Sequence, residues 1–366
     1  MLRAGIVGLP NVGKSTLFNA LTAQQSALAA NYPFATIEPN VGIVAVPDDR
    51  LEPLAKIVKT EKIVPATFEF VDVAGLVRGA SKGEGLGNRF LAHIRETDMV
   101  IQVVRCFEDE SVVHVEGSID ARRDVETIQI ELALSDLATV ERRRERSQKT
   151  AKAGDQSARA EMQVLDKLQA VLEQGKSART VELTPDERAI ARNLFLLTIE
   201  PTIYAANVDE AMLAERENNP HVRTLREIAR AEAAESVVIC AQLEAELVAL
   251  PPEERQEYLQ SLGVPGSGVD RLIKKAYHLL GLISFLTAGE KEVRAWTVPL
   301  GTRAPQAAGA IHSDMERGFI RAEVIGYQDL LRAGSYVAAR EKGLMRLEGK
   351  EYEVQEGDVV YFRFNV

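Results

Sequence analysis

Apolar runs of five or six residues punctuate the first third of the chain, with helix-like segments between them. Residues 2–7, 41–46, 67–72 and 99–104 each have the near-continuous apolar character of strands buried on both faces. Two more such runs stand at 201–206 and 236–240. Strands of this kind alternating with helices predict a mostly parallel sheet covered on both sides. Between 120 and 200 the period lengthens. Val125, Ile128 and Leu132, then Leu134 and Leu137, recur at helical spacing, as do Met162, Leu165, Leu168 and Leu172 after a break at Gly154-Asp155. This predicts two antiparallel helices in a projecting hairpin. A third helix is announced by Thr184-Pro185-Asp186-Glu187, a capping box with proline at the first helical position. Beyond a helical stretch at 270–280 the pattern shortens to alternating strands at 283–286, 293–298, 319–325, 345–347 and 359–364. A helix-like 328–331 and polar turns separate them, so a compact α+β module begins near residue 280.

Composition narrows the class without deciding it. The 366 residues are 46% hydrophobic and 27% charged, with a formal net charge of −10. That charge argues against bulk electrostatic binding of nucleic acid and leaves room only for a local basic patch. One exists on the predicted hairpin: Arg142, Arg143, Arg144, Arg146 and Lys149. It reads either as a solvated helix surface or as a contact with RNA or an acidic partner. Cys106 and Cys240 form no disulfide framework and no zinc spacing, which fits a reducing cytoplasm. No run approaches 18 uninterrupted apolar residues, so neither a signal peptide nor a membrane span is expected.

The chemistry is concentrated near the N-terminus. Residues 8–15 read Gly-Leu-Pro-Asn-Val-Gly-Lys-Ser, after a strand and before a helix with Leu17, Ala20 and Leu21 on one face. In this context small residues let backbone N–H groups curl around phosphates at a helix N-terminus. Lys14 then reaches the β/γ-phosphates and a hydroxyl holds Mg²⁺. Thr36, in a turn-rich loop after the first helix, is placed to give a second, γ-phosphate-dependent hydroxyl to that metal. Asp72 ends the strand at 67–72 and is expected in the Mg²⁺ shell through water, with the Gly75 amide near the γ-phosphate. Gly75, Gly79, Gly83, Gly85 and Gly87 suggest a switch loop ordered by a triphosphate. Leu76 stands where many GTPases carry a water-orienting glutamine, so intrinsic hydrolysis should be slow.

The base-reading signal is a departure. Guanine specificity uses Asn-Lys-x-Asp, and this chain contains no Asn-Lys dipeptide. At the end of the strand at 201–206 stands Asn207-Val208-Asp209-Glu210. Asn207 keeps the amide that reads a purine ring nitrogen, Val208 replaces the lysine expected along the base, and Glu210 replaces the aspartate. A site without a matched acceptor for guanine's donors loses its discrimination against adenine, which favours ATP. On this reading Val208→Lys with Glu210→Asp shifts preference toward GTP. The loop from Cys240 and Ala241 would close over the base through backbone amides.

The motifs at 8–16, 32–36 (Tyr-Pro-Phe-Ala-Thr) and 72–81 (Asp-Val-Ala-Gly-Leu-Val-Arg-Gly-Ala-Ser) carry a resemblance. Gly85-Leu86-Gly87-Asn88, Arg105-Cys106-Phe107, Asn207-Val208-x-Glu210 and the ending Phe362-Arg363-Phe364-Asn365-Val366 extend it. Together they resemble the YchF family of Obg-like ATPases, within the translation-factor-related P-loop class. The resemblance implies an α/β Ras-like nucleotide domain over 1–279 with a helical insertion at about 120–200. It also implies a TGS domain of ubiquitin-like β-grasp form over 280–366. It further implies ATP hydrolysis, Mg²⁺ held by Ser15 and Thr36, and phosphate contacts from Asn11, Val12, Gly13, Lys14, Ser15 and Thr16. The proposed catalytic histidine falls on His114, beside Lys14 in the catalytic set. A ribosomal partner (large subunit or whole ribosome) is implied through the hairpin and TGS domain, with possible ribosomal RNA contact, a monomeric state, and a role in translation or stress. Cys240 stands where related proteins commonly carry serine, which raises the question of redox sensitivity. Two alternatives stay open: a GTPase of the Obg class with compensated base recognition, and a non-hydrolysing, nucleotide-dependent scaffold.

Overall fold

A computed structural model describes residues 2–23, 40–73, 86–109 and 117–365. Thr36, Gly75, Leu76, His114 and most of the glycine-rich segment lie outside the described residues. The first stretch of elements runs β1 (Arg3–Val7), α1 (Lys14–Ala23), β2 (Val41–Ala45), α2 (Leu51–Val58), β3 (Ile63–Val64), β4 (Thr67–Asp72), α3 (Leu86–Arg95) and β5 (Met99–Arg105). The insertion follows as α4 (Ala121–Lys152), α5 (Gln156–Leu172) and α6 (Pro185–Arg192). Then come β6 (Thr202–Asn207), α7 (Pro220–Ala231), β7 (Glu235–Ile239), α8 (Ala241–Leu247), α9 (Pro252–Ser261) and α10 (Gly268–Leu279). The remainder is β8 (Leu282–Ala288), β9 (Val293–Pro299), α11 (Ala304–Ile311), α12 (Ser313–Arg317), β10 (Phe319–Gly326), α13 (Tyr327–Ala333), α14 (Tyr336–Glu341), β11 (Arg346–Glu348) and β12 (Asp358–Phe364).

Two compact units divide these residues. The first holds 2–23, 40–42 and the described residues from 69 to 272; the second holds 43–68 and 273–365. In the first, the sheet order is β2-β4-β1-β5-β6-β7, parallel from β4 to β7. Every residue of β5 and β6 is buried, as strands covered on both faces require. The register aligns Ile6 with Asp72, Arg105 with Asn207, and Asn207 with Ile239. The loops that follow these residues therefore leave from one edge of the sheet, where open α/β sheets bind their ligands.

The insertion is the expected hairpin. Asp120 accepts from Arg122 N and Arg123 N at the start of α4, and Asp155 accepts from Ser157 N and Ala158 N at the start of α5. The Thr184–Glu187 capping box is formed in both directions. Ala133, Val140, Val164, Leu165, Leu168 and Leu172 fill the seam. Leu134, expected on the inner stripe, is 37% exposed, and Ala133 takes the inward place. Two of the hairpin arginines are consumed internally, Arg143 by Glu161 at 2.7 Å and Arg144 by Asp166 at 2.9 Å. Arg146 and Lys149 stand exposed.

The second unit is a β-grasp arrangement with sheet order β11-β10-β12-β8-β9-β3. β8 and β9 pair antiparallel, and β12 returns parallel to β8. Phe285, Val324, Val360 and Phe362 pack with Ala307 and Ala308 of α11. An element not foreseen from sequence joins this sheet: β3 pairs parallel with β9, Ile63 opposite Val293. Lys62 holds Glu292 at 2.6 Å beside that pairing. Arg50 binds Asp48 at 2.7 Å and Glu356 at 2.5 Å. Gly357, at φ 79°, lies so close to Arg50 Nη1 that a Cβ would sit 2.9 Å from it. Residues 43–68 thus pack in the same unit as the C-terminal module.

Candidate nucleotide site

The loop after β1 has the backbone that phosphate recognition demands. Asn11 adopts φ 62° and Gly13 φ 92°, both left-handed. A Cβ on Gly13 would collide with Asn207 Nδ2, so this glycine is required for close approach as well as for its dihedral. Val12 is buried and anchors the loop to the core. Leu17 N donates to Gly13 O at 2.9 Å, and Leu17, Ala20 and Leu21 bury the inner face of α1. Ser15 and Thr16 are exposed in the first turn, where helix N–H groups lack intrahelical partners. A loop that only glycine can complete, a lysine and an exposed hydroxyl form a donor set that fits a magnesium-bound triphosphate.

Lys14 and Asp72 meet directly. The ammonium donates to Asp72 Oδ1 and to Val73 O, each at 2.8 Å, with the two side chains only 12% and 18% exposed. Sequence reasoning assigned these residues separate roles at phosphate and metal. The structure joins them as an ion pair whose partners remain reachable, so each can exchange the other for a ligand group of the same charge.

Asn207 is the hub of the base loop. Its Nδ2 donates to Val12 O and its Oδ1 accepts from Ala241 N, both at 2.9 Å. Its own carbonyl accepts from Cys106 N at 2.8 Å. The phosphate loop, the end of β6 and the start of α8 are therefore fastened through one side chain, which is 4% exposed. One Nδ2 hydrogen remains for a purine nitrogen. Val208 does not line an accessible pocket: it is 2% exposed and belongs to the same buried cluster as Leu213, Cys240 and Leu243. The sequence-derived Val208→Lys change would therefore bury an ammonium in that cluster. Glu210 is half-buried, and its Oε1 accepts from Tyr258 OH at 2.8 Å.

The surrounding motif residues are mostly structural. Arg105 donates to Phe107 O at 3.1 Å and Asp109 O at 3.0 Å and lies 4.6 Å over the Phe107 ring. Asn219 caps α7 and donates to Cys106 O at 2.9 Å. Glu244, in the first turn of α8, accepts from Ser267 Oγ at 2.6 Å and Gly268 N at 2.5 Å, tying α8 to the start of α10. Burial pushes the thiols of Cys106 and Cys240 above the ordinary range, and both are largely enclosed. That is the setting of inert rather than reactive cysteines, against the redox idea for Cys240. Sequence reasoning passed over Tyr258 and Asn219. The pairs Asn219-Pro220 and Pro251-Pro252, each opening a helix, were the available signals. No group of three or more His, Cys, Asp or Glu side chains suited to a metal occurs among the described residues.

Comparison with known proteins agrees along the whole length. A family model described as "50S ribosome-binding GTPase" matches residues 3–140, and the YchF GTPase C-terminal model, described as "Protein of unknown function (DUF933)", matches 282–365. The "Ribosome-binding ATPase YchF" of Bacillus subtilis (strain 168) is 55% identical over 365 residues, covering 100% of both chains. Its counterpart in Escherichia coli O157:H7 is 52% identical over 364 residues, covering 100% of this chain and 99% of that one. The "Structure of the Schizosaccharomyces pombe YchF GTPase" superposes with a TM-score of 0.89 at 38% identity, covering 99% of this chain and 97% of that one. The glycine-dependent loop, the Asn207 hub and the C-terminal β-grasp module thus stand in one chain with end-to-end relatives sharing over half its residues, and the chain belongs to the YchF family.

Proposed function

We propose that this chain is an ATP-binding, ATP-hydrolysing switch that acts on the ribosome in the cytoplasm. The observation that carries the ATP reading is the base loop. Asn207 is clamped between Val12 O and Ala241 N, Val208 lies in the core, and Glu210 is engaged by Tyr258. Among the described residues of this loop, no lysine lies along a base and no free aspartate awaits guanine's paired donors. Such a pocket matches adenine at least as well as guanine, since discrimination requires matched polar groups. The names of the bacterial relatives as ribosome-binding ATPases support the same reading.

In this reading residues 11–16 hold the phosphates, and Lys14 leaves Asp72 for phosphate oxygens. Ser15 and Thr36 would hold Mg²⁺, with Asp72 behind them and the Gly75 amide at the γ-phosphate; the ion supplies charge neutralisation there. Leu76 offers no group to polarise water, which makes hydrolysis slow and leaves His114 as the candidate to orient it. In this reading the nucleotide domain takes 1–279 with its insertion and the TGS domain 280–366, with residues 43–68 and 273–279 packed in the compact unit of the latter. The exposed Arg146 and Lys149 on the hairpin, together with the TGS domain, would face the ribosome, and the chain would act as a monomer. The GTPase reading draws on the S. pombe relative, which is named a GTPase, and on the description of the N-terminal family model. Titrating ATP and GTP side by side with Mg²⁺, then co-sedimenting the chain with ribosomal subunits under each nucleotide, tests both parts. A clear GTP preference overturns the ATP reading, and sedimentation that ignores the nucleotide overturns the switch.

A further inference from the structure

Both acidic side chains of the base loop are already engaged. Asp209 Oδ1 accepts from Met212 N at 2.8 Å and so caps the turn after β6. Glu210 Oε1 accepts from Tyr258 OH at 2.8 Å, from a residue 48 positions further along the chain. Tyr258 rides on α9, which is fixed to the same framework as the base loop. Its neighbour Leu259 is 6% exposed in the cluster that contains Val208 and Cys240. Arg255, one turn earlier, donates to Leu247 O at 3.0 Å and Leu250 O at 3.5 Å, at the end of α8. The start of α8 is Ala241, which donates to Asn207. The carboxylate of Glu210 also raises the phenol's proton affinity, so the hydroxyl stays a donor through the physiological range.

Guanine and adenine ask different things of a carboxylate at this position. Guanine offers two parallel N–H donors that need both oxygens of one carboxylate. Adenine offers an amino donor beside a ring-nitrogen acceptor, whose lone pair opposes a free carboxylate. We propose that Tyr258 is a specificity-determining positioning residue: by donating to Glu210 it takes a lone pair of Oε1 and holds the carboxylate in an orientation set by α9 rather than by guanine's two parallel donors, which tilts the pocket toward adenine. This inference rests on the ATP reading above. Glu210 in this arrangement rejects guanine without contacting adenine, and specificity built against a competitor commonly works in this way.

The test is equilibrium titration of the full chain with fluorescent ATP and GTP analogues in Mg²⁺, for wild type, Tyr258→Phe and Tyr258→Phe/Glu210→Gln. Wild type should prefer ATP. Tyr258→Phe should leave ATP affinity within about twofold and tighten GTP by about five- to tenfold, the worth of one charge-assisted hydrogen bond. Adding Glu210→Gln should return the ratio to the wild-type value, because the freed carboxylate is gone. A ratio unmoved by Tyr258→Phe, or equal weakening of both nucleotides, overturns the inference and leaves the ATP reading standing. A wild-type preference for GTP overturns both.

Discussion

The nucleotide loops and the helical insertion both gather polar side chains beneath the surface, and they use them differently. In the insertion Asp136 accepts from Leu197 N and Thr198 N at 2.8 Å and from Thr198 Oγ1 at 2.7 Å. Ser177 Oγ donates to Glu232, which also accepts from Tyr204 OH. These groups are sealed: Asp136 is 1% exposed, and Thr198 and Ser177 are fully buried. Burial pushes the Asp136 carboxyl above the ordinary aspartate value, against the pull of its hydrogen bonds. Around the phosphate loop, by contrast, Lys14, Asp72 and Glu210 are paired but reachable by solvent. A sealed network can only hold the chain together. A reachable pair can trade partners with an incoming charge at little net cost, because its members are never left bare. The difference separates polar groups that build the scaffold from those that can act.

Three substitutions would break or sharpen this contrast. Asp136→Ala strands two backbone donors and a hydroxyl in the insertion and should cost about 3 kcal/mol in denaturant unfolding. Nucleotide affinity of the folded protein should stay within about twofold; a larger change in affinity than in stability would erase the distinction. Gly13→Ala should reach function as well. Its Cβ collides with Asn207 Nδ2 at a left-handed φ, so ATP binding of the folded protein should weaken by about 30-fold, roughly 2 kcal/mol, alongside a cost of about 1–2 kcal/mol in unfolding. Wild-type ATP affinity in that variant would mean the Asn207 hub does not shape the site.

The smallest effect concerns Glu200, which is half-buried where the insertion returns to β6. Burial first, then the neighbouring charge of Asp98, raise its carboxyl from the ordinary 4.5 to about 7. Folding is unaffected by this group below about pH 4.5, where both states are protonated. Between pH 4.5 and 7 the unfolded chain ionises first, so stability falls as pH rises through the folded value. Glu200→Gln should therefore be neutral at pH 4.5 and stabilising by about 1 kcal/mol above pH 7, the full linkage being reduced by partial solvent screening. Thermal unfolding at the two pH values reads this out, and equal shifts at both would remove the titration as the cause.

Much of the nucleotide loop was legible in advance because its chemistry is local. Gly8 to Ser15 fix a loop and a helix start through adjacent residues, and Thr184 with Glu187 caps a helix three residues away. The parallel sheet and the hairpin followed from periodicity over a few turns. Val208 shows the limit of local reading. Its place in a base-reading motif sets it beside a base, while the burial of its side chain with Leu213 and Cys240 depends on residues distant in sequence.

The order of letters by itself determined the strand–loop–helix of the phosphate cradle, the helical hairpin with the capped helix after it, and the strand succession of the C-terminal module. These depend on backbone preferences and apolar spacing within a dozen residues. Only the tertiary structure decided that Asn207 would bridge Val12 and Ala241, that Tyr258 would take hold of Glu210, and that Ile63 would extend the C-terminal sheet. Asn207 and Val12 stand 195 positions apart, and no local preference encodes such a bond. It forms because the parallel register of β1, β5, β6 and β7 brings their ends to one edge, where buried polar groups must find partners.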